Sequence, residues 1–339
     1  AARTAYDCRE AAAELFHVPA PEQVIFTCNA THGLNIAIRT LVRPGCRVAV
    51  SGYEHNAVTR VLHSIPGVEI MVADAPLFRP EQTLEGFHTA LRRGVDAVIC
   101  NHVSNVFGCV QPVEELAGLC RRTHTPLIVD ASQSAGILPV LLADWGAAFV
   151  AMPGHKGLYG PQGTGLLLCG AEASPLLYGG TGSASRRQTM PIDLPDRLEA
   201  GTHNMPGIAG LLEGLRFVSH AGVERIAQWE RRLTRRAEEG LARLPGVEVF
   251  ADKTGQGQTG VLSFCVKGMD CEQVGEELAR RQIAVRAGLH CAPLAHRTAG
   301  TLESGTIRIS PSVFNTEGQI NFFLREMREI LRENTKKSV

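Results

Sequence analysis

The sequence predicts an α/β fold in which a large, mostly parallel sheet covered by helices is followed by a small C-terminal α+β unit. Three observations carry this. Up to about residue 180, short apolar runs alternate with helical stretches. Those runs are apolar throughout rather than alternating, as in strands buried on both faces. After about residue 206 the order changes to a long helical run, short strands and a closing helix. The expected division is a large domain over 1–206, then a connecting helix with a small domain over 207–339.

The first sixteen residues, "AARTAYDCREAAAELF", read as the middle of an amphipathic helix and lack the basic-then-apolar layout of a signal peptide. The expectation is that the fold begins upstream or is shortened there. "QVIFT" then leads into the helix "THGLNIAIRTLV", "RVAVSG" into "EHNAVTRVLHSI", and "VEIMVAD" into "LEGFHTALRRG". "DAVICNHVSN" precedes "PVEELAGLCRR", where Pro112 opens a helix, Glu114 and Glu115 sit in its first turn and Arg121 and Arg122 end it, as the helix dipole prefers. "PLIVDASQS", "AAFVAMPGHK" and "LLLC" complete the strand-like runs. A turn-rich polar stretch fills 181–206, followed by the helical run 207–244. "VEVFA", "GVLSFCV", the helix "CEQVGEELARRQ", "IAVRAG", "TIRIS" and the closing helix "TEGQINFFLREMREILREN" make the small unit, and "TKKSV" reads as a frayed tail.

The chain has 339 residues, 44% hydrophobic, with 34 basic and 34 acidic side chains. Zero net charge gives no electrostatic reason to expect nucleic acid or an anionic membrane as partner. No apolar run approaches the roughly 20 residues that span a bilayer. Ten cysteines occur without a C-x-x-C pair, and nine read as reduced, buried thiols of a cytoplasmic protein. Cys291, in "VRAGLHCAPLAHR", stands apart because glycine precedes it and proline follows.

In open α/β sheets, functional residues gather at the carboxyl ends of strands. There "VIFTCNAT" runs through Asn29, Ala30 and Thr31 into a helix whose first N–H groups suit a phosphate, although plain capping would also place Asn29 or Thr31 there. His55 follows one strand, and His102 and Asn105 follow another. Asp130 ends "PLIVD", as a helix cap or a functional carboxylate, with Gln133 close behind. Lys156 follows a strand in a glycine-rich turn, where a desolvated lysine can serve as a Schiff-base amine. No dinucleotide or P-loop motif competes. Zinc on His290, Cys291 and His296 matches no structural spacing, so no metal is expected. A phosphate-cradling helix start, a strand-end aspartate and a later strand-end lysine together suit pyridoxal phosphate.

Eight motifs, "FTCNATHGLN", "YEHNAV", "NHVSNVFGCVQP", "VDASQSAG", "GHKGLYGPQGTG", "LEAGTHNMPGIAGL", "VRAGLHCAP" and "GTIRIS", occur in an order that resembles the class V aminotransferase family of pyridoxal phosphate enzymes. Within it they are most similar to the cysteine desulfurase and selenocysteine lyase branch. The resemblance implies the type I fold of pyridoxal phosphate-dependent transferases, and an enzyme that removes sulfur from L-cysteine. By the same resemblance Lys156 anchors the cofactor covalently and shuttles the Cα proton, and Asp130 pairs with its ring nitrogen. Gln133 and Asn105 lie at its phenolic oxygen, Asn105 also at the substrate. His55 stacks on the ring and acts with Lys156 in catalysis, while Ala30, Thr31 and His155 hold the phosphate. Thr202 reaches the cofactor of the neighbouring subunit, which implies a homodimer with a shared active site. Arg308 clamps the substrate carboxylate, and Cys291, on a mobile loop, accepts the sulfur as a persulfide for an acceptor protein the sequence does not name. His290 beside it either assists the thiol or points outward.

Two departures stand out. Pro153 replaces a serine that would hold the phosphate, a loss that Gly180, Thr181 and Gly182 are expected to offset. The family's N-terminal segment is expected to be missing before Ala1, which bears on substrate choice. Selenocysteine cleavage, plain transamination or a cofactor-binding protein without turnover are the alternatives.

Overall fold

The structure is a computed structural model, and it describes residues 1–255 and 257–337. Seven strands form the large sheet: β1 (Val24–Thr27), β2 (Arg47–Ser51), β3 (Glu69–Ala73), β4 (Ala97–Asn101), β5 (Leu127–Asp130), β6 (Phe149–Pro153) and β7 (Gly165–Cys169). Their order across the sheet is β1-β7-β6-β5-β4-β2-β3. β3, β2, β4, β5 and β6 run parallel, whereas β7 runs antiparallel to both β6 and β1.

Strand parity sorts the side chains into two cores. Val98 and Cys100 of β4, Val129 of β5 and Val150 and Met152 of β6 join one, under helices α1 (Ala2–Leu15), α4 (Pro80–Arg92), α5 (Val113–Thr123) and α7 (Met205–Ala221). Ala97 and Ile99, Ile128, and Phe149 and Ala151 join the other, under α2 (Ala30–Leu41) and α3 (Asn56–His63). The same alternation places Asn101 and Asp130, register neighbours at the ends of β4 and β5, on the α2–α3 side. β3 differs from the expected doubly buried strand. It is the sheet edge, and its Val72 is exposed.

The helical run after residue 206 is two helices. α7 ends at Gly222, which adopts φ 86°, and α8 (Val223–Leu241) starts anew. The short α6 (Leu142–Trp145) lies between β5 and β6. β8 (Val247–Phe250), β9 (Leu262–Val266), β10 (Arg286–Gly288) and β11 (Thr306–Ile309) form an antiparallel sheet in the order β10-β11-β9-β8. One face carries Leu262, Phe264, Ile307 and Ile309 into a core shared with α8, α9 (Cys271–Arg280) and α11 (Glu317–Lys337). The opposite face holds Ser263 and Arg308 and meets the large sheet, where Ser263 Oγ donates to Val106 O at 2.5 Å. α10 (Pro293–Thr298) follows β10. α11 runs through Lys337, so only Ser338 and Val339 of the expected frayed tail lie outside the described residues.

All ten thiols are free. The expectation of nine buried cysteines is corrected at three positions. Cys46 and Cys265 are half-buried, and Cys28 is exposed where the chain leaves β1 for α2. Among the described residues, no helix is long and apolar enough to cross a membrane.

α1 is tied down by a buried charge cluster. The Arg9 guanidinium donates to both oxygens of Glu199 at 2.8 and 2.6 Å and lies 4.1 Å from the centre of the Phe26 ring. Glu199 also accepts the Phe26 N–H at 2.7 Å and pairs with His203 Nε2 at 2.9 Å. Arg9→Ala is expected to lower stability by about 3–5 kcal/mol, the cost of leaving a buried carboxylate without its partner. Chemical denaturation of the variant and the wild type measures this.

Candidate active site

A cleft opens where β2, β4, β5 and β6 end and α2 begins. The first turn of α2 forms one wall. Asn29 caps it by accepting the His32 N–H at 2.9 Å, leaving the N–H groups of Ala30 and Thr31 without hydrogen-bond acceptors in the chain, among the described residues. Both residues line the cleft. Such a helix start attracts an anionic group.

Asp130, almost wholly buried, ends β5 on the floor, and one of its oxygens accepts the Ser132 N–H at 2.9 Å. Gln133 follows in the same turn and lines the cleft. His55 stands on the opposite side. It caps α3 through Nδ1, which accepts the Ala57 N–H at 3.0 Å. Burial lowers the pKa of His55, and the charges of Lys156, Arg60 and Arg308 push the same way against Asp130. The ring is therefore neutral near pH 7, as a group packing on an aromatic ligand should be.

Lys156 follows β6 in a tight turn. The residue is exposed at the cleft, with neighbouring protein crowding its amine. That crowding lowers its pKa, as does Arg308 to a lesser degree, while Asp130 opposes the shift. A lysine released from its proton more readily than in water can act as a nucleophile and base. His155 beside it lines the cleft with its pKa lowered, first by burial and then by the Lys156 charge.

Asn105 joins this cleft to the small sheet. Its Nδ2 donates to His290 O at 2.8 Å, and its backbone oxygen accepts from the Arg308 guanidinium at 2.6 Å. Its Oδ1 is buried without a partner. Arg308 sits directly across from Arg286 in the β10–β11 ladder, and burial, then the Arg286 charge, lower its pKa.

Cys291 is exposed, and its turn is held more firmly than a free loop would be. The Ala292 N–H donates to Leu289 O at 2.9 Å across two left-handed residues, His290 at φ 50° and Cys291 at φ 56°. The Asn56 N–H donates to Cys291 O at 2.8 Å, so the turn is pinned to the start of α3 beside His55 as well as to Asn105.

Several sequence readings change. His290 neither points outward nor reaches the thiol. Its ring is buried, with Nε2 3.1 Å from Thr306 Oγ1, and burial ahead of the charges around it pushes its pKa down to about 3. It stacks on His296 at 5.7 Å between ring centres. No group of three or more His, Cys, Asp or Glu side chains that could hold a metal occurs among the described residues. His102 lies away from the cleft, buried edge-on against Trp145, with its pKa lowered by burial to about 4. Gly180, Thr181 and Gly182 do not line the cleft of their own chain, and Thr202 is exposed outside it. Pro153 does line it.

Sequence reading passed over Asn101, Ser132 and Asn56. Asn101 ends β4, one residue before His102, and strand parity is the signal that separates them.

A sheet in this order, with its aspartate and lysine at the carboxyl edge, is the fold of type I pyridoxal phosphate-dependent transferases. The chain belongs to the aminotransferase class-V family, whose family model matches residues 1–323. It is 34% identical over 340 residues to a protein of Mycolicibacterium paratuberculosis named "Probable cysteine desulfurase", covering 96% of this chain and 48% of that one. The chain thus spans about half the length of this relative. A "Probable cysteine desulfurase" of Methanothermobacter thermautotrophicus is 31% identical, covering 97% of this chain and 84% of that one. Among solved structures, the apo cysteine desulfurase of Thermococcus onnurineus NA1 superposes with a TM-score of 0.88 at 29% identity, over 98% of this chain and 84% of that one.

Asn105→Ala removes one of the two tethers on the Cys291 turn and leaves His290 O without a donor. The expected result is faster amide exchange at Ala292 and Asn56 by hydrogen-exchange mass spectrometry or NMR. A loss of stability of about 1–3 kcal/mol should accompany it, the cost of an unpaired buried carbonyl.

Proposed function

We propose that this chain is a pyridoxal phosphate-dependent cysteine desulfurase: L-cysteine and the Cys291 thiol give alanine and a Cys291 persulfide. The observation that supports this most is the pinning of the Cys291 turn to His55–Asn56 and to Asn105, beside a cleft that holds both Lys156 and Asp130.

The residues present suit the cofactor. The unpaired N–H groups of Ala30 and Thr31, aided by His155, take an anionic phosphate, and the unpaired Oδ1 of Asn105 offers an acceptor to a hydroxyl or an ammonium. Asp130 pairs with the ring nitrogen, Gln133 bonds the phenolic oxygen and neutral His55 packs on the ring. When bound, pyridoxal phosphate supplies an electron sink that makes the substrate's α-proton acidic and weakens the Cβ–Sγ bond. Lys156 anchors it covalently and then carries the α-proton, a task suited to an amine of lowered pKa. Arg308, fixed by Asn105 O, takes the substrate carboxylate by a paired hydrogen bond. The thiolate of Cys291 attacks the substrate sulfur, which leaves carbon and becomes the outer sulfur of the persulfide.

On this reading the large domain, 1–206, holds the cofactor, and 207–339 brings Cys291 and Arg308 to it. Thr202, exposed outside its own cleft, completes the phosphate site of a second copy in a homodimer. Free thiols throughout suit the cytoplasm. The persulfide passes to an acceptor protein.

With L-cysteine, pyridoxal phosphate and a reductant, the wild-type chain is expected to form alanine, and Cys291→Ser to form little while keeping the cofactor's visible absorbance. Lys156→Ala should lose that absorbance and at least roughly 10²–10⁴ of the rate, the share of proton transfer alone. Alanine formation at the wild-type rate by Cys291→Ser would remove the persulfide from the scheme. Sedimentation checks the homodimer, and a fully active monomer would refute it.

A further inference from the structure

Behind the floor of the cleft lies a carboxyl that the proposed chemistry does not use. Glu54, next to His55, has no solvent-accessible surface. Its Oε1 lies 2.6 Å from Ser51 Oγ and accepts the Asn101 N–H at 2.7 Å, while its Oε2 is buried with no partner. Among the described residues no Lys, Arg or His nitrogen pairs with it, and the titratable groups around it, Asp130 of β5 and Cys100 of β4, are both acids.

The hydrogens around Ser51 can be counted. Asn101 Nδ2 lies 2.7 Å from Tyr53 O, a contact whose hydrogen only the amide nitrogen can supply, so the amide orientation is fixed and Oδ1 faces Ser51 Oγ at 2.8 Å. That contact takes the single hydroxyl hydrogen of Ser51. Ser51 Oγ also receives the Tyr53 N–H at 3.2 Å, which leaves it one acceptor position. The 2.6 Å contact with Glu54 then has no hydrogen unless Glu54 brings it. An ionised Glu54 would press two acceptor oxygens together.

We infer that Glu54 is a positioning residue held as a neutral carboxylic acid, donating its proton to Ser51 so that Ser51 in turn fixes Asn101 on the cleft floor. Burial agrees with the count, pushing Glu54 up to about 8 against the hydrogen bonds from Ser51 and Asn101. Asn101 is the register neighbour of Asp130, so the chain Glu54–Ser51–Asn101 braces the strand end that carries the aspartate. Asp130 is the sole carboxylate among the described residues that line the cleft, and a neutral Glu54 puts no second negative charge behind it. The functional half of this inference rests on Asp130 facing the ring nitrogen of pyridoxal phosphate; the proton on Glu54 does not. The native state keeps this proton at neutral pH, whereas the unfolded chain releases it in the ordinary carboxylate range. Its contribution to stability is therefore complete in acid and is lost as the pH rises toward about 8.

Infrared difference spectroscopy on the full chain tests the proton, comparing wild type with Glu54→Gln and Ser51→Ala from acid to alkaline pH. The expected result is a carboxylic-acid C=O band in the wild type at neutral pH, absent from Glu54→Gln and fading around pH 8. In Ser51→Ala the band should move to higher frequency, because the acid has lost its acceptor. Identical neutral-pH spectra for wild type and Glu54→Gln, or an unmoved band in Ser51→Ala, would overturn the inference. Should Glu54→Gln not fold, the Ser51→Ala spectra and the wild-type titration decide alone. Titration with pyridoxal phosphate tests the positioning. A glutamine amide cannot at one atom both donate to Ser51 and accept from Asn101, so affinity should fall by about tenfold. Unchanged affinity would refute the bracing role. A wild-type chain that binds no pyridoxal phosphate would defeat the proposed function and leave the infrared result standing.

Discussion

Everything at the cleft depends on a sheet that is dry on both faces. Two apolar cores leave no room for a polar side chain within β2, β4, β5 or β6, so polar groups are confined to the ends of these strands. The strands run parallel, hence those ends lie together on one edge. Asn101, Asp130 and Lys156 lie far apart in sequence and meet because Asn101 and Asp130 end their strands and Lys156 stands in the turn that follows β6. Their electrostatics follow from the same cause. The low-dielectric sheet behind them penalises charge, which makes the Lys156 amine less basic and keeps His55 neutral.

The second constraint is how the small sheet meets the large one. At the cleft Asn105 serves it with two separate groups: its side chain holds the Cys291 turn, and its backbone oxygen holds Arg308. The turn adopts a left-handed conformation that costs non-glycine residues roughly 1–2 kcal/mol each. His290 offsets part of this by burying its ring against Thr306 and His296. The histidine beside the cysteine is thus part of the turn's construction, and its proton chemistry plays no part in the site.

Much of this was legible in the sequence, and the failures are instructive. Uniformly apolar runs ending in polar residues located every strand of the large sheet and led to Asp130 and Lys156 at its edge, because burial on both faces is written directly into composition. Edge position is not, which is why β3 was read as buried. Gly222 was hidden inside a continuous amphipathic pattern, since a glycine in a helix and a glycine that ends one look alike. His290 and His102 were misplaced because the direction of a side chain in an irregular turn depends on tertiary partners such as Thr306 and Trp145. Glu54 went unnoticed for a related reason. Next to His55 in "YEHNAV" it resembles a solvated surface acid, and only the packed structure reveals that it has no water.

Gly222 joins two rigid rods. α7 packs on α1 over the large sheet, whereas α8 packs against α11 over the small one, and at the joint an added Cβ would meet no atom within 4 Å. The requirement for glycine there is torsional rather than steric. The 19 residues of α8 make a lever about 28 Å long, so turning it by about 10° about this joint would sweep its far end through roughly 5 Å. The torsion angles of this single residue therefore set the direction in which α8 leaves the large sheet, and the tethers from Asn105 and Asn56 then fix the Cys291 turn over the cleft.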